Sequence, residues 1–172
     1  MTRPSEIGII ILAAGASTRF GSPKQLVRFK GKTLIERIVD TSRSTGLETL
    51  VVLGANAAEI SGSIGDLQVE TLLNEDWELG MSTSIKKGLE HLLVLNPGLK
   101  AVILLLCDQP FVTKNTISHL VETRRVTGKL IVASKYSDTF GTPALFGREV
   151  FEELLALTGD RGAKNLINDN KN

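Results

Sequence analysis

The feature that most constrains this chain is the run Ile7–Ala16, IGIIILAAGA. Seven apolar residues in a row, broken by a single glycine and running straight into small Gly-containing sequence, suit a strand covered on both faces. A secretory leader has a similar apolar stretch. The segment before it, however, carries only Arg3 as a basic side chain, opposed by Glu6. The run is therefore read as a buried first strand. Strands buried on both faces belong to α/β proteins, whose crossover helices cover the sheet.

The rest of the sequence alternates accordingly. Thr33–Thr45 is predicted helical, opened by the T-x-x-E capping box at Thr33 and Glu36 and stopped at Gly46. Leu26–Phe29 reads as a short extended piece, Thr49–Leu53 and Gln68–Leu73 as strands, and Ala57–Ile64 as a short helix. Met81, Ile85, Leu89, Leu92 and Leu93 share one helical face, which predicts an amphipathic helix over Ser82–Leu95. Ala101–Leu106 is the most hydrophobic segment and is expected as a central strand. Helices follow over Asn115–Thr127 and Arg148–Leu157, with a strand at Leu130–Ser134 between them. The pattern implies a Rossmann-like three-layer α/β sandwich with a mostly parallel sheet. With 172 residues and no linker or repeat, 1–172 is expected to be one domain.

Composition narrows the function classes. Lys and Arg number 20 against 19 Asp and Glu, a net charge of +1. No global field draws the chain to nucleic acid or an anionic membrane, so anion binding must be local. The apolar run Ala101–Cys107 is far shorter than the ~20 residues of a membrane span. Cys107 is the single cysteine, which excludes an internal disulfide and any multi-cysteine metal site and fits a reducing, cytoplasmic setting. His91 and His119 have no metal-ligand spacing and are read as surface or boundary residues.

In open parallel sheets, ligands bind beyond the carboxyl ends of the strands. That rule selects Ala14–Lys24, Asn74–Ser84 and Asp108–Thr113. The first segment runs Leu12-Ala13-Ala14-Gly15-Ala16-Ser17-Thr18-Arg19-Phe20-Gly21-Ser22-Pro23-Lys24. Gly15 and Gly21 allow backbone N–H groups to converge into an anion nest. Arg19 can clamp a phosphate bidentately, and Lys24 can act as a point charge on another. The loop is neither a G-x-x-x-x-G-K-[ST] phosphate loop nor a G-x-G-x-x-G fingerprint. Asp108, at the end of the most hydrophobic strand, is either a turn former or a carboxylate for Mg²⁺; the metal role is favoured, because a charge at a buried strand end is costly without a partner. Gly80, Ser82 and Ser84 open a helix, with Ser82 as the expected cap, and a helix N-terminus also attracts anions.

LAAGASTRFGSPKQL resembles the nucleotidyltransferase signature L-x-x-G-x-[ST]-x-R-[FM]-G-x-x-K. Asn74–Ser84, which contains Gly80-Met81-Ser82-Thr83-Ser84, Leu106–Val112, which contains Cys107-Asp108-Gln109-Pro110, Gly141–Gly147 and Gly159-Asp160-Arg161-Gly162-Ala163 resemble, in order, the further motifs of the molybdenum cofactor cytidylyltransferases of the MobA-like NTP transferase family. The resemblance runs from Ile7 to about Ile167. It implies a nucleotide-diphospho-sugar transferase-like fold and Mg²⁺-dependent transfer of CMP from CTP to a molybdopterin-type acceptor, with release of pyrophosphate. It also implies a molybdoenzyme or its chaperone as a partner. Arg19, Lys24 and Asp108 would be catalytic, with Asp108 holding the metal. Leu12, Ala13, Ala14, Gly15, Ser17, Gly80, Ser82 and Ser84 would hold the nucleotide. Asp160 and Arg161 would serve the acceptor or a second metal. Ala13-Ala14-Gly15 matches the cytidylyl version rather than the guanylyl L-A-G-G. Transfer of CMP, UMP or GMP to a sugar or alcohol phosphate, and a non-catalytic nucleotide- or cofactor-binding role, are the alternatives. The family pattern continues into a further strand and a D-[IV]-D-T-P motif; here the sequence ends at Asn168–Asn172, so contacts from that motif are expected to be missing.

Overall fold

The computed structural model describes residues 5–17 and 21–170. In chain order the elements are β1 (Ile7–Ala13), β2 (Arg28–Phe29), β3 (Lys32–Thr33), α1 (Leu34–Arg43), β4 (Glu48–Leu53), α2 (Ala57–Ile64), β5 (Glu70–Leu73) and α3 (Met81–Leu95). Then follow β6 (Ala101–Leu106), α4 (Lys114–Thr127), β7 (Ile131–Tyr136), β8 (Thr139–Gly147), α5 (Phe151–Leu155) and α6 (Lys164–Asp169).

Six strands form one sheet in the order β5-β4-β1-β6-β8-β7. β1 pairs in parallel with both β4 and β6, while β8 runs antiparallel to both of its neighbours. Alternation along β1 explains its unbroken apolar run. Ile9 and Ile11 pack with Ile35, Val39 and Ile117 of α1 and α4. Ile10 and Leu12 pack on the other face with Ile85, Leu89 and Leu92 of α3. Both faces are thus covered, and the mostly parallel three-layer α/β architecture is the one the sequence predicts.

The capping box forms: Thr33 Oγ1 accepts from Glu36 N–H at 3.2 Å, and Glu36 Oε2 accepts from Thr33 N–H at 2.6 Å. The Thr33 backbone N–H, and after it the Thr33 side chain, hold the Glu36 carboxyl pKa below its ordinary value.

Several boundaries differ from expectation. Of the expected extended piece Leu26–Phe29 only Arg28–Phe29 is a strand; Leu26 ends the 3₁₀ turn Lys24–Leu26, its N–H closing onto Pro23 O at 3.0 Å. β7 extends to Tyr136, since it pairs with β8, a nine-residue strand that periodicity did not reveal. The predicted helix at Arg148–Leu157 is a 3₁₀ turn followed by the short α5. Met81 lies on the predicted apolar face of α3 yet is 38% exposed, because it opens onto a cavity described below. Among the described residues no helix is long and apolar enough to cross a membrane.

Candidate active site

The loop after β1 is held from beneath by one buried amide. Gln25, 2% exposed, donates through Nε2 to Ala13 O at 3.0 Å and to Gly15 O at 2.9 Å. Ser17 Oγ donates to Gln25 Oε1 at 3.4 Å and accepts from Lys24 N–H at 3.1 Å. Left-handed backbone occurs at Ser17 (φ 54°) and Gly21 (φ 69°). Of the residues singled out in this loop, Leu12, Ala13 and Ala14 are buried, Gly15 is exposed and Ser17 is half-buried. Arg19 lies outside the described residues. This network delivers Lys24 to the end of β6, where its Nζ stands 3.8 Å from Asp108 Oδ2.

Gly54, at the end of β4, lets three loops stack. A Cβ there would lie 2.7 Å from Trp77 Cβ and 2.8 Å from Ala14 Cβ. Trp77 therefore anchors the loop after β5 against the loop after β1. That second loop is organised by Asn74, which is fully buried. Its Nδ2 donates to Thr83 Oγ1 at 2.8 Å and Ser84 Oγ at 2.9 Å, and its Oδ1 accepts from Asp76 N–H at 3.0 Å.

The cap of α3 is Gly80, not Ser82. Gly80 has φ 110°, a region that excludes most side chains. Thr83 Oγ1 bonds the Gly80 carbonyl at 2.8 Å, so the hydroxyl that organises this turn belongs to neither predicted serine. Ser82 and Ser84 are both buried. Ser82 N–H is taken by Gly159 O at 3.2 Å.

Asp108 follows Cys107, whose thiol pKa is pushed up to about 12, first by burial and then by the neighbouring Asp108 charge. Gln109 bonds backward to Leu106 N–H at 3.4 Å and outward to Thr142 O at 2.7 Å. Among the described residues no group of three or more His, Cys, Asp or Glu side chains could hold a metal ion. A single carboxylate at a strand end, facing the Lys24 cation, fits Mg²⁺ chemistry, in which one or two carboxylates act with substrate phosphates and water.

The Gly159–Gly162 loop meets the start of α3 backbone to backbone. A Cβ on Gly80 would lie 2.6 Å from Gly159 C, and one on Gly162 would lie 2.7 Å from Met81 Sδ. Asp160 and Arg161 thereby join Leu12, Met81 and Tyr136 around a cavity of about 350 Å³. The structure brings Leu12, Asp160 and Arg161 together at this cavity, with Met81 next to Gly80; Lys24 and Asp108 meet each other, and Asp108 lines a separate cavity with Gln109 and Tyr136. Gln25, Asn74 and Gln109 were not singled out as site residues. Gln25 lies in the 3₁₀ turn and Asn74 and Gln109 in loops, and although Gln109 falls within the Cys107–Pro110 motif, the part each amide plays shows only in its hydrogen-bond partners.

The family model for the MobA-like NTP transferase domain matches residues 9–172. Nicotine blue oxidoreductase of Paenarthrobacter nicotinovorans is 33% identical over 118 residues, covering 67% of this chain and 56% of that protein. The bifunctional protein GlmU of Staphylococcus saprophyticus is 33% identical over 117 residues, covering 66% of this chain and 25% of its own length. The chain thus spans little more than half, or only a quarter, of these curated relatives. The crystal structure of Rv0371c from Mycobacterium tuberculosis superposes with a TM-score of 0.84 at 27% identity, covering 98% of this chain and 85% of that one. A manganese complex of Rv0371c superposes with a TM-score of 0.80 at 27% identity, covering 97% of this chain and 84% of that one.

Proposed function

This chain belongs to the MobA-like NTP transferase family, and from that premise we propose that it transfers CMP from CTP to a molybdopterin-type acceptor, releasing pyrophosphate. The observation that carries the reading is the meeting of Lys24 and Asp108 at 3.8 Å above the adjacent ends of β1 and β6. A cation and a carboxylate facing one another at the mouth of a Gly-containing loop suit a triphosphate and its divalent ion.

The reaction forms a bond from an acceptor phosphate oxygen to the α-phosphorus and breaks the α–β bridging bond in line. No protein nucleophile is needed, so alignment and charge stabilisation carry catalysis. Lys24 holds the α-phosphate, and Arg19 holds the leaving pyrophosphate. Leu12, Ala13, Ala14, Gly15 and Ser17 shape the nucleotide loop, with Gly80, Ser82 and Ser84 framing the base and ribose. Asp108 would hold Mg²⁺, which supplies neutralisation of charge at the phosphate oxygens when bound. The manganese complex of the similar Rv0371c supports a divalent metal.

Asp160 and Arg161 face the acceptor, and Asp160 is also the candidate for a second metal. The cavity they line is largely apolar, with Ile85, Leu104 and Phe140 beside the cations Arg161 and Lys164. That lining suits a ring bearing an anionic group better than a polyol, which would need many hydrogen-bond partners. The reading treats 1–172 as one nucleotidyltransferase domain acting in the cytoplasm, with a molybdoenzyme or its chaperone receiving the product. Pyrophosphate release measured with each of the four NTPs, with and without molybdopterin, tests it. CTP- and molybdopterin-dependent release is expected; release with GTP alone among the NTPs would overturn the cytidylyl assignment and the role given to Ala14.

A further inference from the structure

The antiparallel pairing of β6 with β8 runs from Ala101–Gly147 to Leu104–Ala144 and stops. Continued in register, it would set Leu106 opposite Thr142. Both residues lie within their strands, so the backbone for that rung exists. A side chain occupies its place. Gln109 Oε1 accepts from Leu106 N–H at 3.4 Å, and Gln109 Nε2 donates to Thr142 O at 2.7 Å. A carboxamide has the donor and acceptor of a peptide group. It satisfies both strands while keeping them apart by its own width.

The pairing on the far side of β8 changes at the same point. Ala133 pairs with Ala144, but Ser134 pairs with Gly141, which leaves Thr142 and Pro143 as extra residues on β8. A bulge bends its strand and frees backbone groups from the ladder. The freed Thr142 carbonyl also accepts from the Tyr136 hydroxyl at 2.8 Å, and that hydroxyl accepts from Gln109 Nε2 at 3.3 Å. The split between the strands opens onto the cavity, where Leu104, Leu106, Tyr136, Gly141 and Thr142 all form lining.

We propose that Gln109 is a positioning residue for the acceptor: its amide wedges β8 away from β6 and holds that cavity open. The acceptor part rests on the reading of the cavity given above. Gln109 reaches the acceptor through Tyr136 and the Thr142 turn, while the loop after β1 is held separately by Gln25. Of the residues placed at the nucleotide only Leu12 lines this cavity, so changes at Gln109 act mainly on acceptor binding.

Two measurements on the whole protein test this. In steady-state pyrophosphate release from CTP, Gln109→Asn keeps the amide but is one methylene too short to span both strands. Its KM for molybdopterin is expected to rise on the order of tenfold, with kcat and the Kd for CTP within about twofold of wild type. An equal rise in the Kd for CTP, or a fall in kcat alone, would overturn the proposal. The second measurement is independent of turnover: a crystal structure of Gln109→Ala, or of Gln109→Asn if the alanine variant does not fold. Leu106 N–H is expected to close toward Thr142 O and the cavity to shrink. An unchanged separation of the strands would refute the wedge. If wild type shows no molybdopterin-dependent release, the acceptor reading fails on that result, and the crystal structure still decides the wedge.

Discussion

Lys24 Nζ and Asp108 Oδ2 face each other at 3.8 Å, the lysine just beyond the loop after β1 and the aspartate just beyond the neighbouring β6. Their side chains are 38% and 41% exposed. A wet pair of this kind contributes only about 0–1 kcal/mol to folding. Folding stability therefore does not account for its position at the strand ends, whereas the proposed triphosphate and metal ion would.

Lys24→Ala should accordingly leave the melting temperature nearly unchanged. It should weaken CTP binding by about 1.5–3 kcal/mol, the range for a charge-assisted hydrogen bond. Calorimetric titration of both proteins checks this. Equal affinities would remove Lys24 from the nucleotide site.

Gln25→Ala should act through the loop. Its amide is the hydrogen-bond donor to the carbonyls of Ala13 and Gly15, and leaving such groups unsatisfied costs about 1–3 kcal/mol. Denaturant unfolding should show that loss, and CTP binding should weaken with it. A variant as stable as wild type with unchanged CTP affinity would contradict the supporting role.

Gly80→Ala should separate two loops. At φ 110° with Gly159 C 2.6 Å from the new Cβ, strain of about 1–3 kcal/mol is expected. Thermal melts should fall, and both acceptor use, through the displaced Asp160–Arg161 loop, and CTP binding, through the turn that frames the base, should weaken. Unchanged melting would show that the contact relaxes freely.

Much of the fold is legible in local signals. The apolar run of β1, the Thr33–Glu36 box and the limits of α2 all matched. The three segments that the strand-end rule selects follow β1, β5 and β6. β8 was missed because it contains Gly141, Pro143 and Gly147, residues that weaken a strand signal, and because its partners, β6 and β7, precede it in the chain. The cap of α3 was assigned to Ser82 on residue type, whereas the turn is fixed by the left-handed Gly80 and the distant Asn74. The roles of Gln25, Asn74 and Gln109 depend on contacts between segments, which spacing along the chain does not encode.

Cys107 makes stability depend on alkaline pH. Its thiol sits at about 12 in the fold against an ordinary 9.0. Between these values the unfolded chain has lost a proton that the folded chain keeps. The contribution is therefore fully present below about pH 9 and is lost as pH rises toward 12. Melting temperature should fall more steeply between about pH 9 and about pH 11 for wild type than for Cys107→Ala. Parallel slopes would mean that the thiol reaches solvent.

Asp108 is the residue proposed to hold the divalent ion for nucleotidyl transfer. Asp108→Asn keeps the size of the side chain and its suitability for a turn but removes the charge. The direct measurement is CTP- and molybdopterin-dependent pyrophosphate release as a function of Mg²⁺ concentration, for wild type and Asp108→Asn, with thermal melts as the folding control. Turnover of the variant should fall by orders of magnitude at every Mg²⁺ concentration, while melting and metal-free CTP binding stay close to wild type. A folded Asp108→Asn protein with near-normal Mg²⁺-dependent release would contradict the account.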